Sequence, residues 1–238
     1  LDPDPNPGKP YYLGDQNFLY RITKQAATVE DAIRIAKNYQ FGDVLEGQYH
    51  IADATGNAVV ISGGPDGKIA FTRKQPGEGF LLSTNFNLAQ PEKGPVDFRW
   101  ETAEEMLKAL DRDITLSPWY ALGILEAVHL ETLTSYTLYS NVLDLKNNRI
   151  YLNYMSQFDE TVVIDMEKEF AKGQRVVEMR EFFSSETAAA GDAAYRAFAA
   201  RFQAAKIGVI TLAFLLILGL IYWIRRKVRK VSPVQVRR

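Results

Sequence analysis

Between residues 49 and 73 three short, β-rich and largely apolar runs follow one another, each bounded by residues that favour turns. Residues 49–53 form the first run, 58–62 the second and 69–73 the third. Ala54-Thr55-Gly56-Asn57 and Gly63-Gly64-Pro65-Asp66-Gly67 separate them. Gly and Asn in such turns supply the positive φ angles that hairpins demand, so the spacing predicts an antiparallel meander. A further run, 79–87, is expected to be a strand that stops at Thr84-Asn85. Polar side chains at a strand end would then sit on a rigid platform facing a loop-built cleft.

A 3.6-residue period takes over at 28–39, where Val29, Ala32, Ile33 and Ala36 share one face and Glu30, Asp31, Arg34 and Lys37 the other. Thr28 with Asp31 is a capping-box-like pair at the helix start, and the apolar face is expected to cover the meander. Residues 90–95 read as a surface loop and 101–110 as a short helix with Thr102 near its N-cap. A second helix runs from Ser117, its cap, through Pro118 at the first helical position to about His129. Residues 136–145 and 149–154 alternate around Lys146-Asn147-Asn148, a hairpin. Residues 161–166 are one more strand, followed by a helical turn over 167–173 closed by Gly173. The fold class is therefore α+β, with antiparallel sheet layers covered by helices. Residues 1–15, with four prolines in the first ten, read as extended or loop.

From 184 the pattern changes again. Ser184, Ser185 and Glu186 can cap an Ala-rich helical stalk over 184–206, in which Tyr195, Phe198 and Phe202 form one stripe. The stalk runs into residues 207–224, eighteen positions without a charge, ending in Tyr222, Trp223 and Ile224. At the helical rise this is about 27 Å, enough for a bilayer core, and it predicts a single membrane span.

Charge completes the picture. Seven cations and no acid follow Ile224, which leaves 21 of the 28 cations against 29 acids in the first 224 residues, a net charge of −8 there. An acidic body with a basic tail excludes the footprint of a nucleic-acid binder, where the folded body carries the positive field. It predicts an extracytoplasmic domain over 1–183 and a cytoplasmic tail over 225–238. Export also requires a leader, expected before Leu1. Cys is absent, so there is no disulfide and no thiol nucleophile. His50 and His129 have no ligand-spaced neighbours, and neither a metal nor a cofactor is expected. Gly63-Gly64-Pro65-Asp66-Gly67 lacks the Lys-Ser/Thr and following helix of a phosphate cradle.

Several of these runs, taken in order, resemble one family. The stretch from Tyr49 to Ile61, Ser83-Thr84-Asn85-Phe86-Asn87, and Phe98-Arg99-Trp100 resemble the linear-amide C–N hydrolases. That group includes choloylglycine hydrolases, penicillin V acylases and acyl-CoA:6-aminopenicillanate acyltransferase-like proteins. Thr28-Val29-Glu30-Asp31-Ala32-Ile33 resembles the helix opening ahead of their meander, and the 136–145 and 150–152 runs resemble their late strands. The resemblance spans roughly residues 18–183.

It implies the αββα sandwich of N-terminal nucleophile hydrolases, represented here by its C-terminal portion, and hydrolysis or acyl transfer at a linear, non-peptide amide. Asn85 matches the family Asn whose amide donates to the oxyanion, and Arg99 an Arg that organises the active centre. Asn87 is expected to touch substrate or to reinforce the loop after Asn85. For Asn85 the plain alternative is a turn cap at a strand end; for Arg99 it is a salt bridge to Asp97 or Glu101; for Asp53 the turn-forming role is preferred. The family's nucleophile is a processed N-terminal Cys, which is expected to come from a missing N-terminal portion of the same domain. The competing reading is a non-catalytic, membrane-anchored binding module that kept the sheet and works through the Asn85 edge or the aromatic stripe.

Overall fold

Helix α2, Val29–Ala36, shows how closely local chemistry sets the elements. Thr28 Oγ1 accepts the Asp31 N–H at 3.2 Å, satisfying one of the helix's unpaired donors, while Asp31 Oδ2 reaches back to accept the Ala27 N–H, just ahead of the cap, at 3.2 Å. A second, the Val29 N–H, is taken by Asp53 Oδ2 at 2.9 Å from the first hairpin turn. In the computed structural model, which describes residues 9, 18–39, 48–64, 69–90, 97–110 and 116–230, the chain is an α+β fold with two separate three-stranded antiparallel sheets and a long apolar C-terminal helix. The 1–15 segment apart from Lys9, most of the 90–95 loop, Pro65 to Gly67 in the second turn, and the end of the tail lie outside the described residues.

The first sheet is the predicted meander: β1 (Tyr49–Ala52), β2 (Ala58–Gly63) and β3 (Ile69–Arg73), in that order. Its register pairs Tyr49 with Ile61 and Val59 with Arg73. Asp53 Oδ1 accepts from the Thr55 N–H at 2.9 Å, and Gly56 sits at φ +87°, so Asp53 both shapes the turn and caps α2. Helix α2 lays Val29, Ala32, Ile33 and Ala36 against this sheet, over Val59 and Ile61, as its period predicts. Helix α1 (Phe18–Gln25), which the sequence did not reveal, completes the layer with Phe18 and Ile22. The Phe18 ring meets Tyr39 and Tyr49 edge-on, with centroids 5.7 and 5.3 Å away, which closes the core where α1, α2 and β1 converge.

Beyond the meander, α3 (Phe98–Lys108) begins three residues before its predicted start because Asp97, not Thr102, is the N-cap; its carboxylate accepts the Arg99 N–H at 3.1 Å. Helix α4 (Pro118–Ala127) has the expected cap, with Ser117 Oγ accepting from the Tyr120 N–H and Pro118 opening the first turn.

The second sheet comprises β4 (Tyr139–Asp144), β5 (Arg149–Tyr154) and β6 (Gln157–Asp165). Strand β6 starts four residues earlier than the sequence suggests, because a tight turn at Met155-Ser156, with φ +47° and +59°, joins it directly to β5. Neither residue belongs to the usual Gly/Asn turn vocabulary. Helix α5 (Met166–Ala171) is capped by Asp165 and followed by Gly173 at φ +76°.

Helix α6 (Ser185–Lys230) is one uninterrupted element of 46 residues, so stalk and apolar segment are a single rod. Its first turns dock on β5 and β6. Tyr154 Oη donates to Asp192 Oδ1 at 2.7 Å, and Arg180 pairs with Asp192 at 2.8 Å. Farther along, Tyr136 stacks on Phe198 with centroids 5.3 Å apart, and Phe198 on Phe202 at 6.1 Å. The aromatic stripe therefore packs partly against the domain. Residues 207–224 are exposed throughout, and α6 is long and apolar enough by length and composition to cross a membrane.

Candidate functional site

Residues 79–90 do not form the expected strand. They run as an irregular loop along β1 and the end of β2, held by side chains in place of a backbone ladder. Gln48 supplies most of that ladder. Its Nε2 donates to the Thr84 carbonyl and, at 2.9 Å, to the Phe86 carbonyl, while its Oε1 accepts the Leu88 N–H at 3.2 Å. Gly63 O, at the far end of β2, accepts from both Asn87 Nδ2 at 2.7 Å and Gln90 Nε2 at 3.0 Å. An amide side chain can thus pair with a loop whose own backbone is out of register with the sheet, which is why a strand-like sequence here need not be a strand.

The loop lines a cavity of about 370 Å³. Gln48, His50, Ser83, Thr84, Asn85 and Arg99 supply its polar wall, and Ile124 and Leu125 of α4 with Val128, the residue that ends the helix, its apolar one. Two of the residues singled out from the sequence, Asn85 and Arg99, are therefore brought together across 14 positions of chain. Asn85 is exposed at the rim, and among the described residues its amide has no hydrogen-bond partner. The third, Asn87, is turned to the loop itself: besides donating to Gly63 O, its Oδ1 accepts the Ala89 N–H at 3.0 Å.

Arg99 forms the salt bridge that its neighbours suggested. Its Nε and Nη2 reach the two Asp97 oxygens at 3.1 and 2.9 Å, a two-point pairing in which the Asp97 side chain is only 9% exposed. Burial by itself would raise the Asp97 pKa, but the Arg99 guanidinium, the Thr84 hydroxyl beside it and the Arg99 N–H outweigh that and hold it below the usual carboxylate range. The Thr84 hydroxyl is buried next to this pair, without a hydrogen bond of good geometry among the described residues.

A polar pair that sequence reading did not connect lies in the same wall. His50 Nδ1 and Ser83 Oγ are 2.9 Å apart although 33 positions separate them in the chain. Protein packed around His50 lowers its pKa from the ordinary imidazole value, although the residue keeps more than a third of its surface open to solvent, which moderates the effect. A neutral imidazole beside a hydroxyl can accept its proton. No carboxylate among the described residues orients the ring, however, so the pair lacks the third group that makes such a serine a strong nucleophile. Alternation along β1 places His50 on the face opposite the core residues Tyr49 and Ile51, a signal present in the sequence; the approach of Ser83 is tertiary and was not.

The site thus offers an amide donor at a rim, a charge-paired guanidinium, a neutral hydroxyl–imidazole pair and an apolar back wall. That is the composition of a pocket for a small, largely apolar molecule carrying one or two polar groups. No protein-family model, curated protein or solved structure matches the chain.

Proposed function

We propose that this chain is part of a membrane-anchored hydrolase or acyltransferase of linear, non-peptide amide C–N bonds, related to the choloylglycine hydrolase group and its αββα sandwich. The observation that supports this best is the convergence of Asn85 and Arg99 on one 370 Å³ cavity, with the Asn85 amide unengaged among the described residues. In this reading the substrate's acyl group packs on Ile124 and Val128, and its carbonyl points to the rim, where Asn85 Nδ2 donates to the developing oxyanion. Asp97 holds Arg99 rigid as an organiser of that wall. Asn87 acts one step back, fixing the loop that carries Asn85. The nucleophile comes from residues other than these 238, which contain no Cys. The apolar part of α6 spans the membrane, with the basic tail cytoplasmic and the acidic domain outside.

The test is turnover of p-nitroanilides of phenylacetic, fatty and bile acids by the natural membrane protein in detergent. Asn85→Ala is expected to lower kcat/KM by roughly 100- to 1000-fold with the melting temperature unchanged. Absence of turnover on every amide would overturn the enzyme reading. The two-point engagement of Arg99 by Asp97 favours a second reading, a ligand-binding module on the same anchor, since the carboxylate already balances the guanidinium charge that would otherwise stabilise a developing anion.

A further inference from the structure

A second cleft, of about 250 Å³, lies on the other side of α4. Trp119, Leu122, Gly123 and Glu126 line it at the i, i+3, i+4, i+7 positions of one helix face, whereas Ile124, Leu125 and Val128, on the opposite face, line the cavity described above. Its floor is Asn153 of β5. Tyr151 shares that strand face and meets Trp119 edge-on at 5.6 Å, while Leu152 and Tyr154 point the other way into the core under α6. Asn153 therefore looks toward α4.

Asn153 is 1% exposed and sits at an irregularity of the β5–β6 register, between the Leu152 and Tyr154 pairings. Its Nδ2 donates to Glu160 O at 2.9 Å and Thr161 Oγ1 at 3.0 Å, with Gln157 O at 3.4 Å. The two carbonyls can only accept, so the orientation of the amide is fixed by its partners. Its Oδ1 is left buried with no hydrogen-bond partner among the described residues. An unpaired buried acceptor costs free energy that a donor brought by a ligand would recover. At the rim stand the exposed carboxylates of Glu126 and Asp159, neither in an ion pair among the described residues. The aromatic walls are Trp119 and Phe158.

We propose that this cleft binds a small primary ammonium ion carried on a short aryl or alkyl chain. The carboxylates attract the cation, the Trp119 and Phe158 rings accept its charge and its hydrocarbon, and the ammonium group supplies the donor that Asn153 Oδ1 lacks. An anion meets two carboxylates there, and a neutral alcohol forfeits both the ion pairing and the ring attraction. The proposal is independent of the amide-hydrolase reading, because it uses the other face of α4 and none of the same side chains.

Isothermal titration of the full chain in an uncharged detergent tests it, with phenethylammonium as probe and phenethyl alcohol as its neutral counterpart. Saturable 1:1 binding of the ammonium, at least tenfold tighter than the alcohol, is expected. The double variant Glu126→Gln, Asp159→Asn changes only exposed rim groups and is expected to weaken the ammonium at least tenfold. Gly123→Leu, whose Cβ would enter space with nothing within 4 Å, is expected to abolish binding by filling the cleft. Circular dichroism confirms that both variants fold. Equal affinity for ammonium and alcohol, unchanged affinity in the double variant or in Gly123→Leu, or no heat at millimolar probe would each overturn the proposal.

Discussion

The long helix docks on the second sheet at a position where a single methyl group has no room. A Cβ added at Gly191 would lie 2.8 Å from Met155 Cβ, 2.8 Å from Tyr154 Cδ1 and 3.0 Å from Tyr154 Cε1. Carbon atoms in contact settle at about 3.5–4.0 Å, so α6 must lift from β5 by something near 1 Å. Neither neighbour yields easily. Met155 Cβ is set by a left-handed turn residue, and the Tyr154 ring is held between its stack on Phe183, 5.6 Å between centroids, and its bond to Asp192. Overpacking of this kind costs about 1–3 kcal/mol. Lifting the helix also stretches the Tyr154–Asp192 bond, one to a charged acceptor, worth about 1.5–3 kcal/mol. The better helix propensity of Ala returns about 1 kcal/mol. Gly191→Ala is therefore expected to destabilise the fold by roughly 1.5–5 kcal/mol. Pulse proteolysis of the full chain in detergent reads this directly, with Gly123→Ala as a control that meets no atom within 4 Å and should stabilise slightly. Tyr154→Phe should cost much less in the Gly191→Ala background than alone. A Gly191→Ala protein as stable as the parent would refute the reasoning.

Other consequences are equally open to measurement. Gln48→Leu strips three hydrogen bonds from the 79–90 loop and leaves the Leu88 N–H and two carbonyls to find water; a loss of about 2–3 kcal/mol and a large rise in amide exchange over 84–88 are expected, read by hydrogen exchange with mass spectrometry. Asp97 and Asp53 both titrate below the ordinary carboxylate range. Burial raises each, but the Arg99 guanidinium, the nearby Thr84 hydroxyl and the Arg99 N–H at the first, and the bonds from Thr55, Val29 and Asn57 at the second, more than reverse it. Their stabilisation is accordingly complete above the unfolded carboxylate pKa, about 4, and is lost as pH falls through their lower folded values; a urea midpoint that does not drop below pH 4 would count against both networks. Tyr154 runs the other way. Burial, then the Asp192 carboxylate, pushes it up to about 12, so its contribution persists below pH 10 and disappears toward that value; Tyr154→Phe should flatten the alkaline fall in stability.

The elements that could be read from residues are those whose ends are written in side-chain chemistry. Thr28, Ser117 and Gly56 mark boundaries that the folded chain observes, because a cap or a left-handed turn is decided within four residues. Helix α1 escaped notice because it is eight residues long, with its apolar side chains Phe18 and Ile22 buried by partners distant in sequence. The Met155-Ser156 turn was invisible for a related reason: the two strands it joins impose its positive φ angles, not its own residue preferences. At the first cavity, Asn85 and Arg99 could be nominated from their motifs, but the Ser83–His50 contact and the ladder built by Gln48 arise only when the loop meets β1. Asn153 is the strongest case. A polar residue within a run of buried positions looks like a flaw in a strand until the strand is seen to bulge there.

The absence of a break in α6 makes it a lever. Phe202, the last ring of the aromatic stack, is only five residues, about 7–8 Å of helix, ahead of Ile207, with no glycine pair or proline between them. A domain carried on a flexible tether would sample every orientation above a bilayer; one bolted to its own rod cannot. With the apolar segment seated in lipid, a tilt of that segment would carry the second sheet, on which α6 docks, through the same angle. The cleft between α4 and β5 would then turn with the rod, its height and heading above the surface set by the tilt of the span.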